Sequence, residues 1–240
     1  MRFFVIAVCL LTVACGTAEV ALAPTTTTTT DLPLATTTII TTTISATTTD
    51  TPEPRFTSSA RATGPDELGA SWRDGCPVPF EELRWVEVAH WDSGGNTSTG
   101  VLVVHADQVN VVVSVFEQLF DARFPIESMR PISDFDGDDN ASMRANNSSA
   151  FNCRVIGGTD RWSEHAYGRA IDINPLANPW VRGDQVEPPD GAAYVERDAT
   201  VPGLIVAGDV VTEAFASIGW GWGGDWQNSL DYQHFSRRRG

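Results

Sequence analysis

Residues 83–91 show a rough alternation of polar residues with β-branched and aromatic ones, which is typical of a half-buried strand. Residues 92–96 read Asp-Ser-Gly-Gly-Asn, a composition that favours a turn. Residues 99–104 repeat the strand pattern. The pattern therefore predicts a hairpin of two strands.

Two later segments carry apolar residues at helical spacing. Asp107 is predicted to cap a helix that runs to about Phe124 and ends at Pro125. Asp209 is predicted to cap a second helix that stops at Gly219. The predicted buried faces are Val112, Val115, Phe116, Leu119 and Phe120 in the first helix, and Val210, Val211, Ala214, Phe215 and Ile218 in the second.

Three shorter segments look strand-like, at residues 127–132, 170–174 and 232–236. Residues 175–203 are rich in Pro, Gly and Asp and are predicted to form a long surface excursion, a candidate for one wall of a cleft. These patterns predict an α+β fold with a small, mostly antiparallel sheet and flanking helices.

The N-terminal 23 residues have the pattern of an export signal. Arg2 precedes an apolar stretch, Phe3–Ala14, which is too short to span a membrane comfortably. A small residue then precedes Cys15, as in a bacterial lipobox, so Cys15 is predicted to be lipidated and to become the mature N-terminus. The alternative is ordinary signal cleavage after residues 21–23.

Residues 24–63 are of low complexity and contain several runs of Thr. They hold too few apolar residues to build a core, so they are predicted to be a disordered linker. The folded domain is then expected to span residues 64–240.

The charge balance excludes one class of partner. The 240 residues include 16 Lys and Arg against 31 Asp and Glu, for a formal net charge of −15. A nucleic-acid surface would need clustered positive charge, so no nucleic-acid partner is expected. The acidic balance suits an exported soluble protein, and we expect a monomer whose contact with a membrane is limited to the lipid anchor.

Two stretches carry the candidate chemistry: Ser-Glu-His-Ala-Tyr-Gly-Arg-Ala-Ile-Asp at 163–172 and Asp-Tyr-Gln-His at 231–234. A catalytic zinc needs three protein ligands and an open position for water. His165, Asp172 and His234 can supply those ligands, and Asp231 lies close by without being needed as one. The alternatives are a core or strand role for the two histidines and a turn or capping role for Asp172.

Cys76 and Cys153 form an even pair in an oxidising compartment, because Cys9 and Cys15 fall in the signal region. A disulfide between them is predicted, and it would stabilise the fold by about 4.5 kcal/mol in the chain-entropy model. The alternative is a Cys ligand to the metal. The acidic residues 134–140 do not have the spacing of a calcium-binding EF-hand loop and are predicted to be solvated.

The pattern Ser-x-His-x-x-Gly-x-Ala-x-Asp followed by Asp-x-x-His resembles the family of zinc D-alanyl-D-alanine carboxypeptidases and L-alanyl-D-glutamate endopeptidases that act on cell walls. Residues 76–79, 146–154 and 219–236 extend the resemblance to actinobacterial exported proteins of that group. It covers about residues 72–236.

The resemblance implies one zinc ion held by His165, Asp172 and His234, with Asp231 as general base. Arg154 is the nearest match to the family's carbonyl-polarising arginine, and a surface or salt-bridge role is the alternative. The expected substrate contacts are Ser163, Ser149 and Trp222, with core packing as the alternative for Trp222 and Trp226. Asp225 or a backbone carbonyl is expected to orient a ligand imidazole.

The resemblance implies zinc-dependent hydrolysis of peptidoglycan stem peptides outside the cell membrane. D-Ala-D-Ala carboxypeptidase activity is the first expectation, and cleavage of L-Ala-D-Glu or another stem bond is the second. A zinc-stabilised wall-binding module without turnover and a plain surface lipoprotein are the alternatives from other classes.

Overall fold

A computed structural model of the protein describes residues 53–198 and 200–237. The predicted signal segment, Cys15 and most of the Thr-rich linker lie outside the described residues. No helix in the described ranges has the length and apolar character needed to cross a bilayer.

The described residues combine short strands and short helices. The strands are β1 (Ser58–Ala62), β2 (Leu83–Trp91), β3 (Thr97–His105), β4 (Ser128–Met129), β5 (Asn147–Ser148), β6 (Ala170–Asp172), β7 (Trp180–Arg182), β8 (Gln185–Glu187), β9 (Trp220–Trp222), β10 (Leu230–Asp231) and β11 (His234–Arg237). The α-helices are α1 (Pro65–Leu68), α2 (Val109–Asp121), α3 (Asp139–Arg144) and α4 (Val210–Ser217). The predicted α+β class is confirmed.

The strands are distributed over several small sheets rather than one. Three sheets are antiparallel, in the orders β1-β2-β3, β10-β7-β8 and β6-β11-β9, and β4 and β5 form a parallel pair. Antiparallel pairing therefore predominates, as predicted.

The predicted hairpin is confirmed by β2 and β3, which pair from Leu83↔His105 to Trp91↔Thr97. Its turn is closed by Asp92, whose side-chain oxygen accepts a hydrogen bond from the backbone N–H of Asn96 at 2.8 Å. This is the local Asp geometry on which the turn prediction relied.

Part of the predicted linker is folded. β1 pairs antiparallel with β2, with Ala60 opposite Val86, so the ordered chain begins before residue 64. All five residues of β1 are exposed, and the strand therefore lacks the alternating pattern that a sequence reading depends on. Backbone groups at the edge of β2 gain partners from β1 whatever its side chains are.

The predicted buried face of the first helix is confirmed in α2, but the predicted cap is wrong. Residues 106–108 form a 3₁₀ turn, and His105 rather than Asp107 caps it by accepting a hydrogen bond from the N–H of Asp107. The carboxylate of Asp107 lies instead 2.8 Å from the guanidinium of Arg169. For α4 the predicted cap is confirmed, since Asp209 accepts from the N–H of Thr212 at 2.9 Å.

The main core lies between α2, α4, the hairpin β2-β3 and the sheet β6-β11-β9. Phe235 of β11 stacks on Phe215 of α4 with ring centroids 4.2 Å apart and planes 12° apart. Ile171 of β6 has no exposed surface. This apolar face anchors the two strands whose opposite faces carry the candidate metal ligands.

The predicted disulfide between Cys76 and Cys153 is confirmed, with Cα atoms 5.8 Å apart. Arg73 adds a second tie, because its guanidinium donates to the carbonyl oxygen of Cys153 at 2.7 Å. The segment that precedes β2 is thereby fastened to the segment that leads to Arg154.

Replacing both Cys76 and Cys153 by Ala is expected to lower the free energy of unfolding by about 2–5 kcal/mol, because the bridge closes a long loop, across a sequence separation of 77 residues. Urea unfolding of the oxidised parent and the variant measures the difference. Free thiols at both cysteines in the exported parent protein would contradict the bridge.

Candidate metal centre

The two strands β6 and β11 bring two of the predicted ligands together. They pair antiparallel with His234 directly opposite Asp172, and directly opposed residues project from the same face of a sheet. The Nδ1 atom of His234 lies 3.0 Å from the Oδ1 atom of Asp172. Both side chains are buried.

A 3₁₀ turn at residues 164–167 delivers the third ligand. Ser163 caps this turn, since its hydroxyl oxygen accepts a hydrogen bond from the N–H of His165. Gly168 ends it at φ 63°, and a Cβ there would lie 2.6 Å from the backbone nitrogen of His105. Glycine is therefore required at this position for two reasons: the backbone is left-handed, and β3 leaves no room for a Cβ atom.

The donor atoms of the three residues converge. The Nε2 atom of His165 lies 3.2 Å from the Oδ2 atom of Asp172 and 3.2 Å from the Nδ1 atom of His234. Among the described residues, these three form the one group of His, Cys, Asp or Glu that meets the geometry of a metal site. The acidic residues 134–140 do not form such a group.

A backbone carbonyl orients the first imidazole. The Nδ1 atom of His165 lies 2.5 Å from the carbonyl oxygen of Ala150, so Nδ1 carries the proton and donates it. Nε2 then presents its lone pair to the other two ligands, which is the arrangement that metal-binding histidines adopt. Of the two expected orienting groups, the structure supports a backbone carbonyl, and Asp225 is exposed.

The donor set fits zinc. Two imidazole nitrogens and one carboxylate are typical catalytic zinc ligands. Tetrahedral bonds of 2.0–2.1 Å place ligand atoms about 3.3 Å apart, close to the 3.0–3.2 Å found between these atoms. Three converging donors leave one position of a tetrahedron for water or substrate.

The charges at the cluster are strongly coupled. Burial alone would raise the pKa of Asp172, but the charges and hydrogen bonds of His165 and His234 lower it well below its usual range. Burial alone would lower the pKa of His165, yet Asp172 raises it overall. The carboxylate of Asp172 is thus held ionised, as a metal ligand must be.

Asp231 lies beside this cluster with an unused acceptor. Its Oδ1 atom is buried and has no hydrogen-bond partner. Burial raises the pKa of its carboxyl to about 6. The charge of His234 opposes this rise, and the charge of Asp172 adds to it. A buried carboxylate oxygen without a partner is costly in a purely structural role, so its position favours a functional one.

The position of Asp231 depends on two neighbours. β10 pairs with β7, with Asp231 opposite Trp180, so the predicted excursion at 175–203 does flank this residue. On the other side, a Cβ on Gly223 would lie 2.5 Å from the carbonyl oxygen of Asp231. Gly223 is a site residue that the sequence reading missed.

Arg154 is ion-paired rather than free. One of its terminal nitrogens lies 2.9 Å from the Oδ2 atom of Asp139. Its charge nevertheless acts on the cluster, since it opposes the rise in pKa of both His165 and Asp231. Asp139 was expected to belong to a solvated loop, but it is the first residue of α3.

The remaining predicted contacts have mainly structural surroundings. Ser149 is buried and exchanges two backbone hydrogen bonds with Asp172, at 2.9 and 3.0 Å. Trp222 is packed in the core, and its indole N–H donates to the carbonyl oxygen of Tyr232 at 2.8 Å. Trp226 is 44 % exposed, with its ring 5.3 Å from that of His234, so it is better placed to meet a ligand.

The resemblance proposed from sequence is confirmed for part of the chain. Residues 157–237 match a family model described as D-alanyl-D-alanine carboxypeptidase. The matched range contains all three candidate ligands and Asp231, and it excludes Arg154 and both cysteines. No curated protein and no solved structure matches the chain. The match and the donor geometry together support a metallopeptidase.

Replacing His165 or His234 by Ala is expected to weaken zinc binding by at least about 10²-fold, more than the loss of an outer-shell partner typically costs. Zinc retained after dialysis against a competing chelator measures the effect. His105→Ala is the matched control, because His105 lies outside the cluster and contacts Glu82 and Asp107. Equal zinc retention in all the variants would contradict the assignment.

Gly223→Ala is expected to move Asp231 without removing a ligand. The added methyl would lie 2.8 Å from the Cβ atom of Asp231, so kcat should fall by about 10²-fold, as expected for a displacement of about 1 Å. Zinc content should stay at the parent level. Gly64→Ala is the control, because a Cβ at Gly64 meets nothing within 4 Å.

Proposed function

We propose that this chain, residues 157–237 of which match the D-alanyl-D-alanine carboxypeptidase family, is a zinc-dependent peptidase that hydrolyses peptidoglycan stem peptides outside the cell membrane. The observation that carries the proposal is the buried, unpartnered oxygen of Asp231, a residue on which the charges of all three converging ligands act. A metal site that only stabilised the fold would not require a general base beside it.

Zinc bound by His165, Asp172 and His234 would supply Lewis acidity, which polarises a carbonyl and lowers the pKa of a water to about 7. The chain's own residues supply the rest. Ala150 keeps the proton of His165 on Nδ1, away from the donor atom. The ionised Asp172 offsets positive charge in a buried place.

Asp231 serves as the proton carrier. Its carboxylate accepts a proton from the water whose oxygen attacks the scissile carbonyl carbon. When the carbon–nitrogen bond then breaks, the same proton passes to the departing amine. The products are a shortened peptide with a new carboxylate and a free amine, and Asp231 returns to its ionised form.

Arg154 stabilises the negative charge that develops on the carbonyl oxygen. A guanidinium presents several N–H donors in a fixed plane, and the Nε atom of Arg154 is buried without a partner. Loss of one donor of this kind typically lowers kcat by about 10²–10³-fold. The ion pair with Asp139 leaves that Nε atom available.

D-Ala-D-Ala carboxypeptidase activity is the first specific assignment, because the family description names it. A carboxypeptidase must also bind the free carboxylate at the end of its substrate. Arg154, the cation whose charge acts on His165 and Asp231, is already paired with Asp139. This pairing favours a stem-peptide endopeptidase as the second candidate, since an internal bond has no such carboxylate.

Incubating the zinc-loaded protein with a synthetic stem pentapeptide that ends in D-Ala-D-Ala, followed by chiral analysis of the released alanine, distinguishes the candidates. Release of free D-alanine supports the carboxypeptidase, and release of L-alanine or a larger fragment supports the endopeptidase. Failure to cleave this peptide or intact peptidoglycan, with zinc fully bound, would rule out the enzyme in favour of a binding module.

Asp231→Asn is expected to lower kcat by about 10²–10⁴-fold, the usual contribution of a general acid–base group, while zinc stays bound. Asp225→Asn is the matched control, because Asp225 is an exposed carboxylate in the adjoining turn. An Asp231→Asn variant with the parent's activity would contradict the assigned role, whereas loss of zinc in this variant would show that Asp231 is needed to hold the metal.

A further inference from the structure

Asp139 binds two side chains of the segment that follows Ala150. Its Oδ2 atom lies 2.9 Å from a terminal nitrogen of Arg154. Its Oδ1 atom accepts a hydrogen bond from the side-chain amide of Asn152 at 3.2 Å. The carboxylate therefore bridges two alternate residues of one extended stretch, and its side chain is only 25 % exposed.

The same stretch is fastened to the turn that carries the first ligand. The N–H of Asn152 donates to the carbonyl oxygen of His165 at 3.3 Å, and the N–H of Ser163 donates to the carbonyl oxygen of Arg154 at 3.1 Å. Any group that fixes the side chain of Arg154 therefore fixes it relative to the ligand turn. Asp139 is such a group.

Asp139 itself is held in place by α3. Asp138 caps this helix by accepting from the N–H of Ala141 at 3.1 Å. On the inner side of the helix, the buried hydroxyl of Ser142 accepts from the side-chain amide of Asn147 at 2.9 Å. Functional groups supported by such ordered elements are positioned more precisely than groups on free loops.

The ion pair also determines which donors of Arg154 remain. One terminal nitrogen is occupied by Asp139, while the Nε atom is buried and unpartnered. A guanidinium is rigid and planar, so anchoring one nitrogen orients the others. Without an anchor, a side chain that is 35 % exposed would sample several rotamers.

We propose that Asp139 is a positioning residue: it holds one terminal nitrogen of the Arg154 guanidinium so that the remaining donors meet the substrate oxygen on which negative charge develops. This inference rests on the function proposed above for Arg154. It assigns a role to a residue of the acidic loop that the peptidase reaction does not otherwise use.

The kinetic test is a double-mutant cycle of Asp139→Ala, Arg154→Ala and both together. Asp139→Ala is expected to lower kcat by about 10–10²-fold with little change in KM, because a misplaced donor acts mainly on the transition state. In the Arg154→Ala background, Asp139→Ala should have almost no further effect. Effects that multiply would overturn the proposal, since Asp139 would then act independently of Arg154.

Asp136→Asn is the matched control. Asp136 is an exposed carboxylate of the same loop in a left-handed conformation at φ 54°, which Asn also tolerates. The substitution Asp136→Asn removes one negative charge near α3 and should leave kcat, zinc content and thermal stability at the parent values. If Asp136→Asn lowered kcat as much as Asp139→Ala, the effect would come from the negative charge of the loop, and the positioning role of Asp139 would be contradicted.

A second measurement does not depend on turnover. The Nε–H group of Arg154 should give a resolved NMR correlation with slow solvent exchange in the parent, and Asp139→Ala should broaden it or abolish it. An unchanged signal in Asp139→Ala would overturn the positioning role even if the parent cleaves no peptide. A parent that cleaves no stem peptide but shows the expected NMR change would refute the proposed function alone.

Discussion

The antiparallel pairing of β6 with β11 is the constraint on which the site depends. Because His234 lies directly opposite Asp172, two of the three donors come within 3.0 Å of each other without any loop having to place them. The next residues along the two strands, Ile171 and Phe235, are also paired and face the core. Side chains alternate between the faces of a strand, so the burial of one face secures the geometry of the other. The stacking of Phe235 on α4 therefore supports the metal centre as well as the fold.

Burial makes the cluster costly unless its charges are balanced. The carboxylate of Asp172 is almost fully enclosed, and among the described residues two imidazoles make ion pairs with it. An ionised group in such surroundings destabilises the folded state unless it is paired or coordinates a metal. A bound dication satisfies the carboxylate and both lone pairs at once. Zinc binding is therefore expected to couple to folding stability as well as to chemistry.

The sequence predicted the parts of the site that depend on residue type and spacing. It did not predict the parts that depend on backbone groups or on tertiary contacts. The motif spacing predicted His165, Asp172 and His234 as candidate ligands, which the structure brings together, and helical periodicity predicted the buried face of α2. In contrast, the carbonyl of Ala150 orients His165 through the backbone, which every residue type carries. In the sequence, Asp139 is one of several neighbouring carboxylates, and only the structure shows that it pairs with Arg154. β1 was missed because its exposed residues show no alternation.

The candidate ligand His234 and the candidate base Asp231 lie in different sheets, although they are only three residues apart in the chain. His234 lies in β11, which pairs with β6 and β9, whereas Asp231 lies in β10, which pairs with β7. The excursion that contains β7 thus pairs with the strand of Asp231, and the turn that contains Gly223 lies against both Asp231 and β11. Changes in that excursion can shift Asp231 relative to a substrate while the three ligands keep their spacing. On the function proposed above, this arrangement would separate the ability to hold zinc from the choice of bond that is cleaved, and zinc content alone would then be a poor measure of activity.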